Sequence, residues 1–166
     1  MKNNYLLLLL LCFMGFSSVA NSSSENASSI PFIEQAYIRA TIPGTSISSS
    51  YMVIKNASDK AITLLNVTSD ISPRIEMHQH IMVDGMMRMR KIEFIEIEPN
   101  SLIELQPSGL HFMIFDVKSA LKPEQQVELT LHFSNDVTVT SKIPVYSPLQ
   151  EKSVQNKMLK MHEHNH

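Results

Sequence analysis

Beyond its first twenty residues this chain of 166 has no cysteine. The single thiol, Cys12, stands inside an apolar run from Leu6 to Phe16. Lys2 precedes the run and Ser18-Val19-Ala20 follows it, giving the positive start, apolar middle and small-residue end of a secretory signal over residues 1–20. Cys12 lacks the small residues that a lipoprotein cleavage site wants before it, and is assigned to the signal alone. A mature chain without cysteine excludes a disulfide framework, although an exported protein would be allowed one. The run itself is short for a bilayer, so cleavage is favoured over an anchor, and no second apolar stretch follows to span a membrane. A basic excess is missing as well. Without Lys2 there remain 13 basic and 16 acidic side chains, a formal charge of −3, which argues against a nucleic-acid partner.

Helical periodicity and internal repeats are also scarce. The Ser/Asn-rich stretch within residues 21–31 is expected to be a disordered leader, and the apolar pattern then runs from Ile33 to Ser147, enough for one core in a single domain of residues 32–148. Short β-type segments are read at Phe32 to Arg39, Ser50 to Lys55 and Ala61 to Thr68, with Pro43-Gly44 and Asn56-Ala57-Ser58-Asp59 as turns. Val127, Leu129, Leu131 and Phe133 alternate with polar residues, and Val137, Val139, Ile143 and Val145 return after Ser134-Asn135-Asp136, the pattern of a hairpin. Phe94 and Ile95 break the alternation of Ile92 to Ile97, which points to a bulge or leaves the register open. Only Ser119 to Leu121 hints at helix, ahead of Pro123. The fold class is therefore all-β, an antiparallel β-sandwich or barrel. From Leu149 onward the chain is polar without apolar periodicity, and residues 149–166 are expected to form a flexible tail.

The chemistry lies in His78, Met89, His111 and Met113, spaced His-x10-Met-x21-His-x-Met. By composition that pattern arises by chance in about one such chain in a thousand. Two imidazoles and two thioethers suit a soft, monovalent metal, and Cu(I) above all. Thioether sulfur has no proton to lose and forms no disulfide, an advantage outside the cell. Zinc prefers thiolate, imidazole and carboxylate. A blue-copper electron carrier needs a thiolate that the mature chain lacks. His111 and Met113 share a strand face, with Leu110, Phe112 and Ile114 turned to the core. Asp84-Gly85 reads as a hairpin turn that brings Met89 back beside the histidines. A two-residue turn there places His80, rather than His78, opposite Met89. His80 is thus a further candidate ligand, and the register is left open between the two.

These four residues and the segments around them resemble the periplasmic PCuAC-type copper chaperones. The likeness extends over residues 33–145, through Ala36-Tyr37-Ile38-Arg39, Pro43-Gly44, Tyr51-Met52-Val53-Ile54-Lys55-Asn56, Glu76-Met77-His78, Asp84-Gly85-Met86 and Pro107-Ser108-Gly109-Leu110-His111-Phe112-Met113. Ser108 departs from it, since relatives often carry a second glycine there. The resemblance implies a cupredoxin-like, Greek-key β-sandwich that binds Cu(I) through His78, Met89, His111 and Met113. It also implies transfer of copper to the CuA site of cytochrome c oxidase subunit II, often alongside a Sco-type protein, in the periplasm.

Other methionines and histidines have plainer roles. Met52 is read as core filling and His132 as a surface residue. Met77, Met82, Met86 and Met87 crowd the hairpin outside the signature, lining either the approach of copper or a soft docking surface. In the tail, Met158, Met161, His162, His164 and His166 gather copper-type donors, and the histidines suit Cu(II). The leading reading is a copper-binding and transfer protein, not an enzyme, because no acid, base or substrate pocket is evident beside the donors. A copper storage or tolerance protein and a metal-independent secreted β-sandwich are the alternatives.

Overall fold

The computed structural model describes residues 30–163, with side chains as far as residue 155. Ten strands follow one another: β1 (Phe32–Arg39), β2 (Ser48–Asn56), β3 (Ile62–Thr68), β4 (Arg74–Val83), β5 (Met86–Ile92), β6 (Ile95–Ile97), β7 (Ser101–Leu105), β8 (Leu110–Phe115), β9 (Gln126–Phe133) and β10 (Thr138–Tyr146). One helix, α1 (Pro148–Glu163), closes the described chain. The signal and most of the leader lie outside the described residues.

Pairing runs in the order β5-β4-β8-β7-β2-β1-β10-β9-β3-β6, with β2 also paired to β8. Most neighbours are antiparallel; β1–β10 and β7–β8 are parallel. The two halves of this long sheet fold onto one another. Ile38, Met52, Ile54, Phe112 and Ile114 of one half and Leu64, Leu129, Leu131, Ile143 and Val145 of the other belong to a single buried cluster. Period-2 alternation explains the second half: β9 buries Val127, Leu129, Leu131 and Phe133 and turns the residues between them outward. Its hairpin to β10 turns through Ser134, Asn135 and Asp136, the last two at positive φ (60° and 57°), a conformation that Asn and Asp adopt more readily than most residues. The sandwich read from the sequence is the observed one.

Several local expectations change. The break at Phe94 is the end of one strand and the start of another, β5 stopping at Ile92 and β6 beginning at Ile95. Ser119 to Leu121 forms no helix and serves to bury Leu121. The expected flexible tail after Leu149 begins instead as helix α1. Ser147 caps it: its Oγ accepts from the Gln150 N–H at 3.3 Å, and Gln150 Oε1 accepts from the Ser147 N–H at 2.9 Å. This reciprocal pair, with Pro148 at the first helical position, satisfies donors the helix start would otherwise leave open. Among the described residues no helix is long and apolar enough to cross a membrane.

Candidate metal centre

Strand register assembles the site. β4 lies between β5 and β8, antiparallel to both, and residues directly opposite one another project from the same face. The pairs His78–His111, His78–Lys91, His80–Met89 and Glu76–Met113 therefore put all four signature residues on one face. Met77, Phe112 and Ile114 occupy the other face and are buried in the core. Core packing thus backs β4 and β8, whereas β5, which carries Met89, is an exposed edge strand.

The Asp84-Gly85 turn fixes the register that the sequence left open. Both residues have positive φ, 50° and 75°, the requirement of a type I′ hairpin turn. Met89 consequently faces His80, while His78 lies one rung inward, between His111 and Lys91. All three imidazoles gather: the His80 and His111 rings stack at 5.1 Å and the His78 and His111 rings lie 6.0 Å apart. His80 thus joins the cluster alongside His78.

Hydrogen bonding decides which ring nitrogens are free. The Gly109 carbonyl can only accept, so His111 Nδ1 carries the hydrogen that meets it at 3.1 Å. His111 Nε2 is left with a bare lone pair, and it faces Met89 Sδ at 3.2 Å. Glu76 Oε2 lies 2.9 Å from His78 Nε2. The hydrogen bond to His78 is the main cause that lowers the Glu76 pKa below the ordinary carboxylate value, so the carboxylate is ionised and accepts from Nε2–H. His78 Nδ1 is buried without a partner, as is His80 Nδ1. Leaving such atoms unpaired costs about 1–3 kcal/mol each, which marks the cluster as built for something other than stability.

The rings are withdrawn from water, with His78 8% and His111 3% exposed, whereas Met89 is 47% exposed at the rim. Burial is the largest cause lowering the His111 pKa; His80, His78 and Arg39 push the same way, and the Gly109 carbonyl opposes them. The imidazole is therefore held neutral, the form that ligates. Among the described residues no three His, Cys, Asp or Glu side chains converge as a metal-holding group.

Other residues around the site were not singled out from the sequence. Glu76 could have been found by parity, two residues before His78 on the same strand face. Tyr51 stands 6.2 Å from His111, ring to ring, with the Arg39 guanidinium 5.0 Å from the Tyr51 ring centroid. Arg39 Nε also donates to both carboxylate oxygens of Glu151, each at 2.8 Å, and the Tyr37 hydroxyl reaches the same carboxylate at 3.3 Å. Helix α1 is in this way tied to the sheet face that carries the donors. Met158, Met161 and His162 fall within the helical span, with side chains outside the described residues, as are His164 and His166 altogether.

The fold is that of a cupredoxin-like β-sandwich, with imidazole and thioether side chains collected on one sheet face. The chain belongs to the LpqE-like, PCuAC-type family: the family described as "Putative lipoprotein LpqE-like" matches residues 32–145. Among curated relatives, "Putative lipoprotein Lxx21020" of Leifsonia xyli subsp. xyli is 23% identical over 135 residues, which are 81% of this chain and 80% of that protein. "Uncharacterized protein RP573" of Rickettsia prowazekii is 28% identical over 125 residues, 71% of this chain and 69% of that one. Among solved structures, the copper-bound PCuAC domain from PmoF2 superposes with a TM-score of 0.61 at 25% identity, covering 74% of this chain and 97% of that domain. The Cu(I) form of DR1885 from Deinococcus radiodurans has the same fold, with a TM-score of 0.60 at 23% identity over 76% of this chain and 84% of that one.

Proposed function

We propose that this protein binds one Cu(I) ion at the His/Met cluster and passes it to an acceptor protein outside the cytoplasm. One observation carries the reading: the bare Nε2 of His111 faces the Met89 sulfur at 3.2 Å, beside the orphaned Nδ1 of His78. Two lone pairs turned toward each other are a repulsive arrangement unless a cation comes between them. Imidazole with thioether selects a soft ion over zinc, calcium or magnesium. His78, Met89, His111 and Met113 are the proposed ligands, with His80 as a further donor on the same face. The copper-bound domain among the structural relatives supports the choice of ion.

The same layout suits transfer better than catalysis. The imidazoles are buried and Met89 is at the rim, so an incoming ligand from the acceptor can bond to copper there as the Cu–S bond to Met89 breaks. Copper stays Cu(I), and no electron or proton need move. A Cys-free mature chain with a signal-like start, in a family whose relatives are named as lipoproteins, supports an extracytoplasmic, periplasmic setting. Cytochrome c oxidase subunit II or a Sco-type protein is the proposed acceptor, and the tail histidines a Cu(II) site.

A competition titration against a Cu(I) chelator under reducing conditions tests the core claim. Met89→Leu and His111→Ala should each weaken Cu(I) binding by at least about tenfold, or ~1.4 kcal/mol. His132→Ala, whose ring meets Thr68 on the other half of the sandwich, should not change it. Native affinity in both core variants would refute the assignment.

A further inference from the structure

The hairpin carrying Met89 continues outward with more sulfur than the core site uses. Met82 and Met87 form a directly opposed cross-strand pair, one rung beyond His80–Met89. Because side chains alternate along a strand, Met82 shares the face of His80, and Met87 shares the face of Met89. The rungs on this face thus read His111–His78, then His80–Met89, then Met82–Met87, ending at the Asp84-Gly85 turn. Met86 pairs with Val83 and projects from the opposite face. Met82 is 68% and Met87 57% exposed, an unfavourable placement for two apolar side chains that pack no core.

From this placement we infer that Met82 and Met87 form an outer Cu(I) site, a thioether pair that captures the ion first and loads the core site behind it. The inference rests on the Cu(I) reading of the core. Directly opposed Cβ atoms in such a ladder lie about 4.5–5.5 Å apart, and two metal–sulfur bonds of about 2.3 Å in line span nearly the same distance. Methionine's three rotatable bonds let both sulfurs turn toward one ion. The tight turn holds the two strands in register, so both side chains start from one rung. Successive rungs are about 7 Å apart, a step that flexible thioethers can bridge by exchange. A bond from copper to Met89 or His80 forms as the bond to Met82 or Met87 breaks, and copper remains Cu(I) throughout. His80 stands on the route with its buried Nδ1 unpartnered. Capture at the outer pair converts loading of the core from a search in solution to a short transfer within one molecule.

The experiment uses the full mature chain with methyl-labelled methionine, titrated anaerobically with Cu(I) supplied as its acetonitrile complex. The first equivalent should shift the Met89 and Met113 methyl signals. The second should shift Met82 and Met87 together, leaving Met86 and the buried Met52 in place. In His111→Ala the Met82 and Met87 signals should still shift, since their site does not depend on that ring. The double variant Met82→Leu with Met87→Leu keeps the apolar surface and removes the sulfur. It should load the core about tenfold more slowly in stopped-flow, at unchanged core affinity, whereas Met86→Leu should load at the native rate. Met82 and Met87 signals that stay put while Met89 and Met113 respond would overturn the outer site and leave the core reading intact. Native loading kinetics in the double variant would overturn it equally. Core signals that never move would instead sink the core reading.

Discussion

Two carbonyl or carboxylate partners decide which lone pairs the site offers: Gly109 O for His111 and Glu76 for His78. Such outer partners typically contribute about 10–100-fold to metal affinity. Glu76→Ala should therefore weaken Cu(I) binding by about tenfold in the competition titration while the strand, paired on both sides, stays folded. His111 also ties the fold to pH. Its pKa is lowered by burial, so the unfolded chain binds a proton more readily than the folded one. The sign is that of a depressed group. The associated stability is complete above the ordinary imidazole value near 6.5 and is lost as pH falls through the folded-state value. Denaturant unfolding of the metal-free protein should show stability declining below about pH 6.5, with a shallower decline in His111→Phe. The proposed donors were legible in the sequence through their spacing, and the strand register puts them on one sheet face. Their protonation states were not, since the deciding partners come from the fold: a backbone carbonyl two residues away, and a carboxylate whose parity matters only once the strand exists.

At the scale of elements, two local devices hold the site in place. The β4–β5 hairpin depends on the turn at Asp84-Gly85. A Cβ at Gly85 would meet open space, yet its φ of +75° is strained for any L side chain. Gly85→Ala should cost about 1–2 kcal/mol, read as a lower denaturation midpoint, and should loosen Met89 before it disturbs the core. The second device is the attachment of α1. Glu151 accepts from Arg39 and Tyr37, and Arg39 is partly exposed, so Glu151→Ala should cost only about 1–2 kcal/mol. Thermal unfolding checks the value, and faster amide exchange in residues 148–155 would place the loss in the helix. The hairpin was readable because Asp-Gly between apolar residues is a strong local signal, and the two-residue turn correctly demanded His80 opposite Met89. Helix α1 has no apolar periodicity to announce it. Its signal was Ser147-Pro148-Leu149-Gln150, a cap whose force lies in hydrogen bonds rather than in hydrophobic pattern.

For the whole molecule, the sandwich solves a problem that sequence order cannot. The strands that carry residues 78, 89, 111 and 113 become neighbours because β4 is flanked by β5, its sequence neighbour, and by β8, which arrives after two further strands. Alternation along single strands announced an all-β fold, but the parallel β1–β10 and β7–β8 contacts leave no local trace and appear only in the structure. A rigid scaffold that withholds partners from its ring nitrogens should gain stability when those atoms are satisfied. At Cu(I) concentrations a hundredfold above the dissociation constant, linkage gives about 2.7 kcal/mol. The melting temperature should rise accordingly, and the rise should be much smaller in His111→Ala.

X-ray absorption at the copper edge, on protein loaded with one equivalent under reducing conditions, tests the central claim most directly. The account predicts Cu(I) bound by imidazole nitrogen and thioether sulfur together, with sulfur scattering reduced in Met89→Leu and nitrogen scattering reduced in His111→Ala. A site of nitrogen and oxygen alone, or a spectrum that neither substitution alters, would contradict it.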